Sequence, residues 1–179
     1  MKTNKNYSLT QKIQVARRWD AEKSDLAILS KDADKYIRRL VAQNTNTSTM
    51  ILLNLSEDKE EEVRAAVAAN VCATKRAFHI LASDTSPLVR EMLARNVMIT
   101  KDIVDMLYMD EDYGVRLKLS ANVSATKKAL DYLAKDEMPM VRLNVAKNPM
   151  TPVETLRWLA DDKDKEISEY ATARLIGLK

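Results

Sequence analysis

Oppositely charged residues recur along this sequence at a constant spacing, and ion pairing is the first chemistry that they offer. An aspartate precedes an arginine by six residues in five places. This spacing favours a structural ladder of charge-assisted hydrogen bonds, with the aspartate near a helix N-terminus and the arginine crossing between repeats. A row of arginines that binds phosphate is the alternative. The pairs are Asp32/Arg38, Asp58/Arg64, Asp84/Arg90, Asp110/Arg116 and Asp136/Arg142.

A second set of basic residues lies at the start of a predicted helix in several repeats. Stacked helices lie about 10 Å apart, so these side chains would form a row that could follow a phosphate backbone. A solubilising edge is the favoured interpretation, because Thr49 and Val153 interrupt the row. The basic residues are Lys23, Lys75, Arg76, Lys101, Lys127 and Lys128.

One position on the same predicted helices becomes more aromatic toward the C-terminus. It lies about 90–100° from the buried stripe of the helix. Packing between adjacent repeats is the favoured interpretation. The alternative is an exposed groove for a partner, with the aromatic residues as anchors. The position is occupied by Ile28, Asn54, Ile80, Met106, Tyr132 and Trp158.

Residues for catalysis or for cofactor binding are scarce. His79 is the only histidine, Cys72 is the only cysteine, and the two glycines form no phosphate-binding loop. We therefore expect no metal, no cofactor and no disulfide. A single cysteine fits a reducing cytoplasm, and no apolar run approaches the roughly 18 residues of a membrane span. The net charge of +3 is too balanced to indicate nucleic-acid binding by itself.

The elements that must position these residues follow from a period of 26 residues. A β-branched aliphatic residue lies seven positions before each repeated asparagine, and a leucine lies eleven positions after it. Apolar spacings of three and four predict two short helices in each repeat. We expect the asparagine to end the first helix in the left-handed conformation. The repeated asparagines are Asn44, Asn70, Asn96, Asn122 and Asn148.

The starts of the second helices and the repeat boundaries follow from the same register. Ser48, Thr74, Thr100 and Thr126 are suitable N-caps, and Pro152 would be the first helical residue of its repeat. One domain over residues 1–179 is expected, with repeats of about 11–36, 37–62, 63–88, 89–114, 115–140 and 141–166 and a capping helix at 167–179. The terminal repeats are degenerate, with Arg18 and Arg174 in place of the asparagine.

The fifth repeat carries an Asn-Pro step at Asn148-Pro149 and a second proline at Pro152. With these columns, the sequence resembles the leucine-rich repeat variant family, a relative of HEAT-like helical repeats, over roughly residues 8–178. The resemblance implies a right-handed superhelix of short helices, some of which can be 3₁₀-helices, and no particular activity. One type of member carries an iron–sulfur module whose cysteine cluster this sequence lacks. Because both prolines occur only in the fifth repeat, the other second helices are expected to be more regular α-helices.

The sequence thus predicts an all-α, right-handed α-solenoid with a binding function. Solenoids present extended surfaces of variable residues on a constant frame. We expect a non-catalytic cytoplasmic protein that binds another protein or a peptide and that binds neither a membrane nor a metal. Nucleic-acid binding through the lysine row is the alternative, and a repeat-based enzyme is a third class.

Overall fold

The computed structural model describes residues 7–177, which contain thirteen α-helices and no strand. Longer and shorter helices alternate, so that each repeat has a first and a second helix. The first helices are α1 (Leu9–Arg17), α3 (Lys35–Gln43), α5 (Glu61–Ala69), α7 (Pro87–Arg95), α9 (Tyr113–Ala121), α11 (Pro139–Lys147) and α13 (Lys165–Gly177). The second helices are α2 (Lys23–Leu29), α4 (Thr49–Leu55), α6 (Lys75–Ala82), α8 (Lys101–Leu107), α10 (Lys127–Leu133) and α12 (Val153–Leu159).

Local sequence signals set the helix ends. Pro87 and Pro139 occupy the first turns of α7 and α11, and the side chain of Asp112 caps α9. Because these starting residues precede the repeated aliphatic position, the first helices begin two residues before the boundaries expected from the sequence, as at residue 113 instead of 115. Pro152 is the N-cap of α12 and not its first residue, because the helix begins at Val153. That expectation was wrong by one position.

The chain divides into two compact units, Met1–Leu81 and Ala82–Lys179. In the first unit, α3 packs against α1 and α5. In the second unit, α9 packs against α7 and α11, and α13 packs against α11 and α12. Side chains of both helices in a repeat fill the core: Val115 and Leu119 of α9 and Leu130 and Leu133 of α10 are fully buried. The expectation of a single domain stays a prediction.

The repeated asparagines end the first helices, but not in the expected conformation. No residue between 7 and 177 has a positive φ, and Asn122 has φ −77° and ψ 129°. The left-handed cap was therefore a wrong prediction. In this extended conformation the backbone N–H of Asn122 still donates to the carbonyl oxygen of Leu119, and the side chain reaches carbonyl oxygens of the preceding repeat.

Asparagine side chains bridge two consecutive repeats at Asn44, Asn70, Asn122 and Asn148. The amide nitrogen of Asn122 donates to the carbonyl oxygens of Ala94 at 2.7 Å and Asn96 at 3.0 Å. Its Oδ1 accepts from the backbone N–H of Ser124 at 2.8 Å. Asn148 makes the equivalent bonds one repeat later. We call Asn44, Asn70, Asn122 and Asn148, for which these bonds are described, the bridging asparagines.

Candidate functional site

Arginines and aspartates of neighbouring repeats pair along the loops that join each second helix to the next first helix. Nε of Arg142 donates to Asp162 at 2.7 Å and its Nη2 donates at 3.0 Å, which is a bidentate contact. The pairs Arg38–Asp58, Arg90–Asp110 and Arg116–Asp136 repeat this geometry. The side chains of Arg142 and Asp162 are only 5% and 2% exposed, so this ion pair belongs to the frame of the protein.

The carboxylate partner of each of these arginines lies 20 residues after it, and not six residues before it. The preceding aspartate contributes its backbone instead. Nη1 of Arg116 donates to the carbonyl oxygens of Asp110 at 2.9 Å and Glu111 at 3.0 Å. Each arginine therefore connects the loop before its own helix to the loop of the following repeat. Arg64 makes the same backbone contact, to the carbonyl oxygen of Asp58 at 2.8 Å.

Hydrogen bonding favours the charged forms of Asp58, Asp162 and Arg142 in the ladder. Burial acts to raise the pKa of Asp162, but hydrogen bonds from Arg142 and from the Asp164 backbone N–H outweigh it, so the pKa lies below its usual value. The pKa of Asp58 is lowered for the same reasons, with Arg38 as the donor. On the other side of the pair, the hydrogen bond to Asp162 raises the pKa of Arg142.

The aromatic position lies at the surface in the second unit. Met106, Tyr132 and Trp158 are 41%, 44% and 46% exposed. Ile80, at the same position in the preceding repeat, is half-buried. The ring of Tyr132 also packs edge-on against Tyr108, with 5.2 Å between the ring centroids. Tyr132 and Trp158 are thus partly packed against the protein and partly exposed to solvent.

Three depressions in the second unit lie over the ion pairs of successive repeats. Their volumes are about 380, 460 and 450 Å³. The first contains Arg90, the second Arg116 and Tyr132, and the third Arg142 and Trp158. Neighbouring depressions share Asp110 and Asp136, so they are contiguous. We call this surface the ladder groove.

The candidate phosphate-binding residues are exposed at the starts of second helices. Lys23, Lys75, Lys101 and Lys127 are the first residues of α2, α6, α8 and α10. Arg76 and Lys128 follow two of them, and both are exposed. Nζ of Lys128 lies 3.7 Å from Asp105 and 4.9 Å from the centroid of the Tyr108 ring. Asp105 of the neighbouring helix α8 therefore offsets part of the positive charge of Lys128.

Metal ligands and membrane spans give no further site. Among residues 7–177, no three His, Cys, Asp or Glu side chains are grouped as a metal centre would require. Within the same residues, no helix combines the length and apolar character needed to cross a bilayer.

Comparison with known proteins bears on the fold alone. No protein-family model matches the sequence, and no curated protein matches it. Among solved structures, the chain is similar to "a leucine-rich repeat variant with a novel repetitive protein structural motif". The identity is 23%, the TM-score is 0.70, and the match covers 96% of this chain and 68% of the other.

The chain has the leucine-rich repeat variant fold. The expected all-α solenoid of two-helix repeats is confirmed. Every second helix from α2 to α12 is an α-helix, as expected outside the fifth repeat, but α12 of the fifth repeat is α-helical as well, so the two prolines do not set that repeat apart. Because the second helices share this conformation, equivalent positions of the repeat lie at equivalent places on each second helix.

In the degenerate terminal repeats of this leucine-rich repeat variant fold, two residues make contacts between repeats that the sequence analysis did not predict. Nη1 of Arg174 donates to the carbonyl oxygens of Ala146 and Asn148, both at 2.7 Å, and so replaces a bridging asparagine. Lys12 lies 2.6 Å from Asp32, which is 20 residues later, and so replaces a ladder arginine. Both positions fall in the register of the period, which is the signal that would identify them.

Proposed function

We propose that this chain is a non-catalytic binding module whose repeat surface binds another protein or a peptide. The half-exposed Tyr132 and Trp158 carry this proposal, because they stand in consecutive repeats and line contiguous depressions. Aromatic side chains held rigidly at a surface are typical anchors of protein interfaces. The repeat fold is of a kind commonly used for binding. Its single cysteine suits a reducing cytoplasm, where we expect the module to act.

The frame beneath these anchors supports a rigid binding surface. The buried Arg116–Asp136 and Arg142–Asp162 pairs hold the loops beside Tyr132 and Trp158. Thr155 also donates from its hydroxyl group to the carboxylate of Asp131 and so joins α12 to α10. A surface that is ordered before binding loses less conformational entropy when the partner arrives.

Replacing Tyr132 and Trp158 together with serine should abolish capture of the partner with only a modest loss of stability. Both rings are nearly half exposed, so their removal costs less than the roughly 3–5 kcal/mol of a fully buried aromatic residue. The immobilised full chain and the variant are compared by pull-down from nuclease-treated extract of the native cells, and their melting temperatures by circular dichroism.

Trp19, the other tryptophan of the chain, provides a matched control for this experiment. Trp19 is 84% exposed, lies in the first unit and is not among the residues that line the ladder groove. Trp19→Ser should capture the same proteins as the unaltered chain. A protein that the double variant retains, or one that Trp19→Ser also loses, would count against the groove. Unfolding of the double variant at ambient temperature would show that the rings are packing residues.

Nucleic-acid binding through the lysine row is the alternative, and the exposed helix starts at Lys101 and Lys127 favour it. Three phosphate contacts by Lys101, Lys127 and Lys128 would give a slope of about −2.7 in log K against log salt. We expect no such slope, because Asp105 and Asp131 lie on the same helices. Fluorescence anisotropy with duplex DNA and single-stranded RNA measures it.

Charge-matched variants separate specific contacts from net charge in that experiment. One variant replaces Lys101, Lys127 and Lys128 with alanine. The control replaces three other exposed lysines, Lys31, Lys59 and Lys165, and so removes the same charge elsewhere. Equal, weak binding by both variants is the expected result. A steep slope that only the first variant abolishes would establish the nucleic-acid interpretation.

A further inference from the structure

We propose that the ladder groove binds an extended polypeptide segment that carries a lysine or arginine at every third position. This inference rests on the proposed binding function and specifies the partner's chemistry. It depends on the aromatic walls of the groove, on the charge of its lining and on the period of the repeats.

Tyr132 and Trp158 give the groove one aromatic wall in each of its last two repeats. A cation over an aromatic face gains electrostatic attraction as well as contact area. The chain already makes this contact beside the groove, since Nζ of Lys128 lies 4.9 Å from the centroid of the Tyr108 ring. Tyr108 forms a T-shaped ring pair with Tyr132, which is itself 44% exposed.

The charge of the lining selects a cationic partner. Seven carboxylates and five basic side chains line the three depressions, a net charge of −2, although the whole chain has a net charge of +3. The three arginines of the lining are bound to Asp110, Asp136 and Asp162, so they do not offer free positive charge. Glu111, Glu137 and Asp161 are exposed at the rim. An acidic peptide or a nucleic acid would be repelled there.

The pKa values of the ladder arginines also reflect an excess of nearby carboxylates. Beyond its partner Asp110, Arg90 is influenced by Glu111 and Asp112, which raise its pKa further. Beyond Asp162, Arg142 is influenced in the same direction by Asp164 and Asp136. Carboxylates therefore outnumber the arginines around the floor of the groove as well as along its rim. Lys135 and Lys163, both exposed in the lining, are the opposing charges.

The period of the repeats determines the register of the partner. Successive repeats lie about 10 Å apart, the usual distance between packed helices. An extended or polyproline II segment rises about 3.1–3.4 Å per residue, so three residues span about the same distance. In polyproline II every third side chain also points the same way. One basic side chain per repeat then reaches each aromatic wall in turn.

A peptide of defined register tests the inference. The probe is a fluorescein-labelled peptide of four Lys-Pro-Pro triplets. One control peptide has the same composition with its four lysines adjacent, and another has glutamate in place of lysine. Against the full chain at about 50 mM salt, we expect the probe to bind roughly tenfold more tightly than either control, from two or three cation–π and ion contacts. Equal binding of the adjacent-lysine peptide would overturn the register, and equal binding of the glutamate peptide would overturn the charge selection.

Variants of the chain make the test independent of folding defects. Lys135→Glu should tighten binding of the probe by roughly threefold, since it replaces a like charge at an exposed position with an opposite one. Tyr132→Ser with Trp158→Ser should abolish the preference for the probe, and Trp19→Ser should leave it unchanged. Misfolding cannot produce this gain of affinity. Unchanged or weaker binding by a Lys135→Glu variant with an unaltered melting temperature would contradict the inference.

The outcome also separates this inference from the proposed function. If the serine double variant loses its captured protein but the probe does not bind, the binding module stands and the basic segment is wrong. If capture does not depend on Tyr132 and Trp158 and the probe also fails, both proposals are wrong.

Discussion

Replacing Asn122 with alanine should lower the free energy of unfolding by about 3–5 kcal/mol. The side chain satisfies the carbonyl oxygens of Ala94 and Asn96 and the N–H of Ser124. Asn122 is 5% exposed, so water cannot easily replace these bonds. The carbonyl oxygen of Asn96 also accepts from the N–H of Ile99 at 3.4 Å, so the other two groups lose their partner. Each buried group left without a partner costs about 1–3 kcal/mol. Urea denaturation followed by circular dichroism measures the loss.

Two further substitutions at the same position identify the cause of that loss. Asn122→Gly should be at least as destabilising as Asn122→Ala, because the residue has a negative φ and gains nothing from glycine. Asn122→Asp should be the worst at neutral pH, since a carboxylate would face two carbonyl oxygens, and should improve relative to the unaltered chain in acid. Asn54→Ala, at an exposed helical asparagine, is the control and should change stability by less than about 0.5 kcal/mol. If Asn122→Gly is well tolerated, the asparagine would act as a left-handed helix cap after all.

The helices of this fold could be predicted from the sequence because the same local apolar spacings recur in every repeat. Apolar spacings within about ten residues determine whether a segment is helical and which face it buries. The helices around Val115, Leu119, Leu130 and Leu133 follow directly from that pattern. By contrast, the bonds of Asn122 end on atoms 28 and 26 residues earlier, and no local pattern specifies them.

One substitution in the sequence does point to the role of the asparagines. In the last repeat Arg174 stands where five earlier repeats have asparagine. Arginine does not share the tolerance of asparagine for a positive φ, but both side chains carry N–H donors. A repeat position that is occupied by either residue indicates that a side-chain N–H donor is required there. Arg174 indeed donates to the equivalent carbonyl oxygens.

The pairing of the ladder could not be decided from spacing. An aspartate six residues before one arginine is also 20 residues after the arginine of the preceding repeat, because the two spacings add to the period of 26. Both pairings fit the sequence equally well. Only the stacking of one repeat on the next brings Arg90 to Asp110. The candidate groove has the same origin, since its walls and floor come from loops and helices of successive repeats.

A double-mutant cycle on Asp110 should distinguish these two pairings. Asp110→Ala and Arg90→Ala should each destabilise the protein by about 3–5 kcal/mol, because each leaves a buried partner charge uncompensated. The side chains of Arg90 and Asp110 are 10% and 7% exposed. Once one partner is absent, removal of the other costs much less. We expect a coupling energy of about 1–3 kcal/mol between them.

The cycle between Asp110 and Arg116 is the matched control. Arg116 binds the backbone carbonyl oxygen of Asp110, which alanine retains, and its guanidinium group pairs with Asp136. The effects of Asp110→Ala and Arg116→Ala should therefore add to within about 0.5 kcal/mol. Urea denaturation of the five variants and the unaltered chain gives both coupling energies in one series. Strong coupling of Asp110 to Arg116, with none to Arg90, would show that the ladder pairs within six residues and that the stacking described here is wrong.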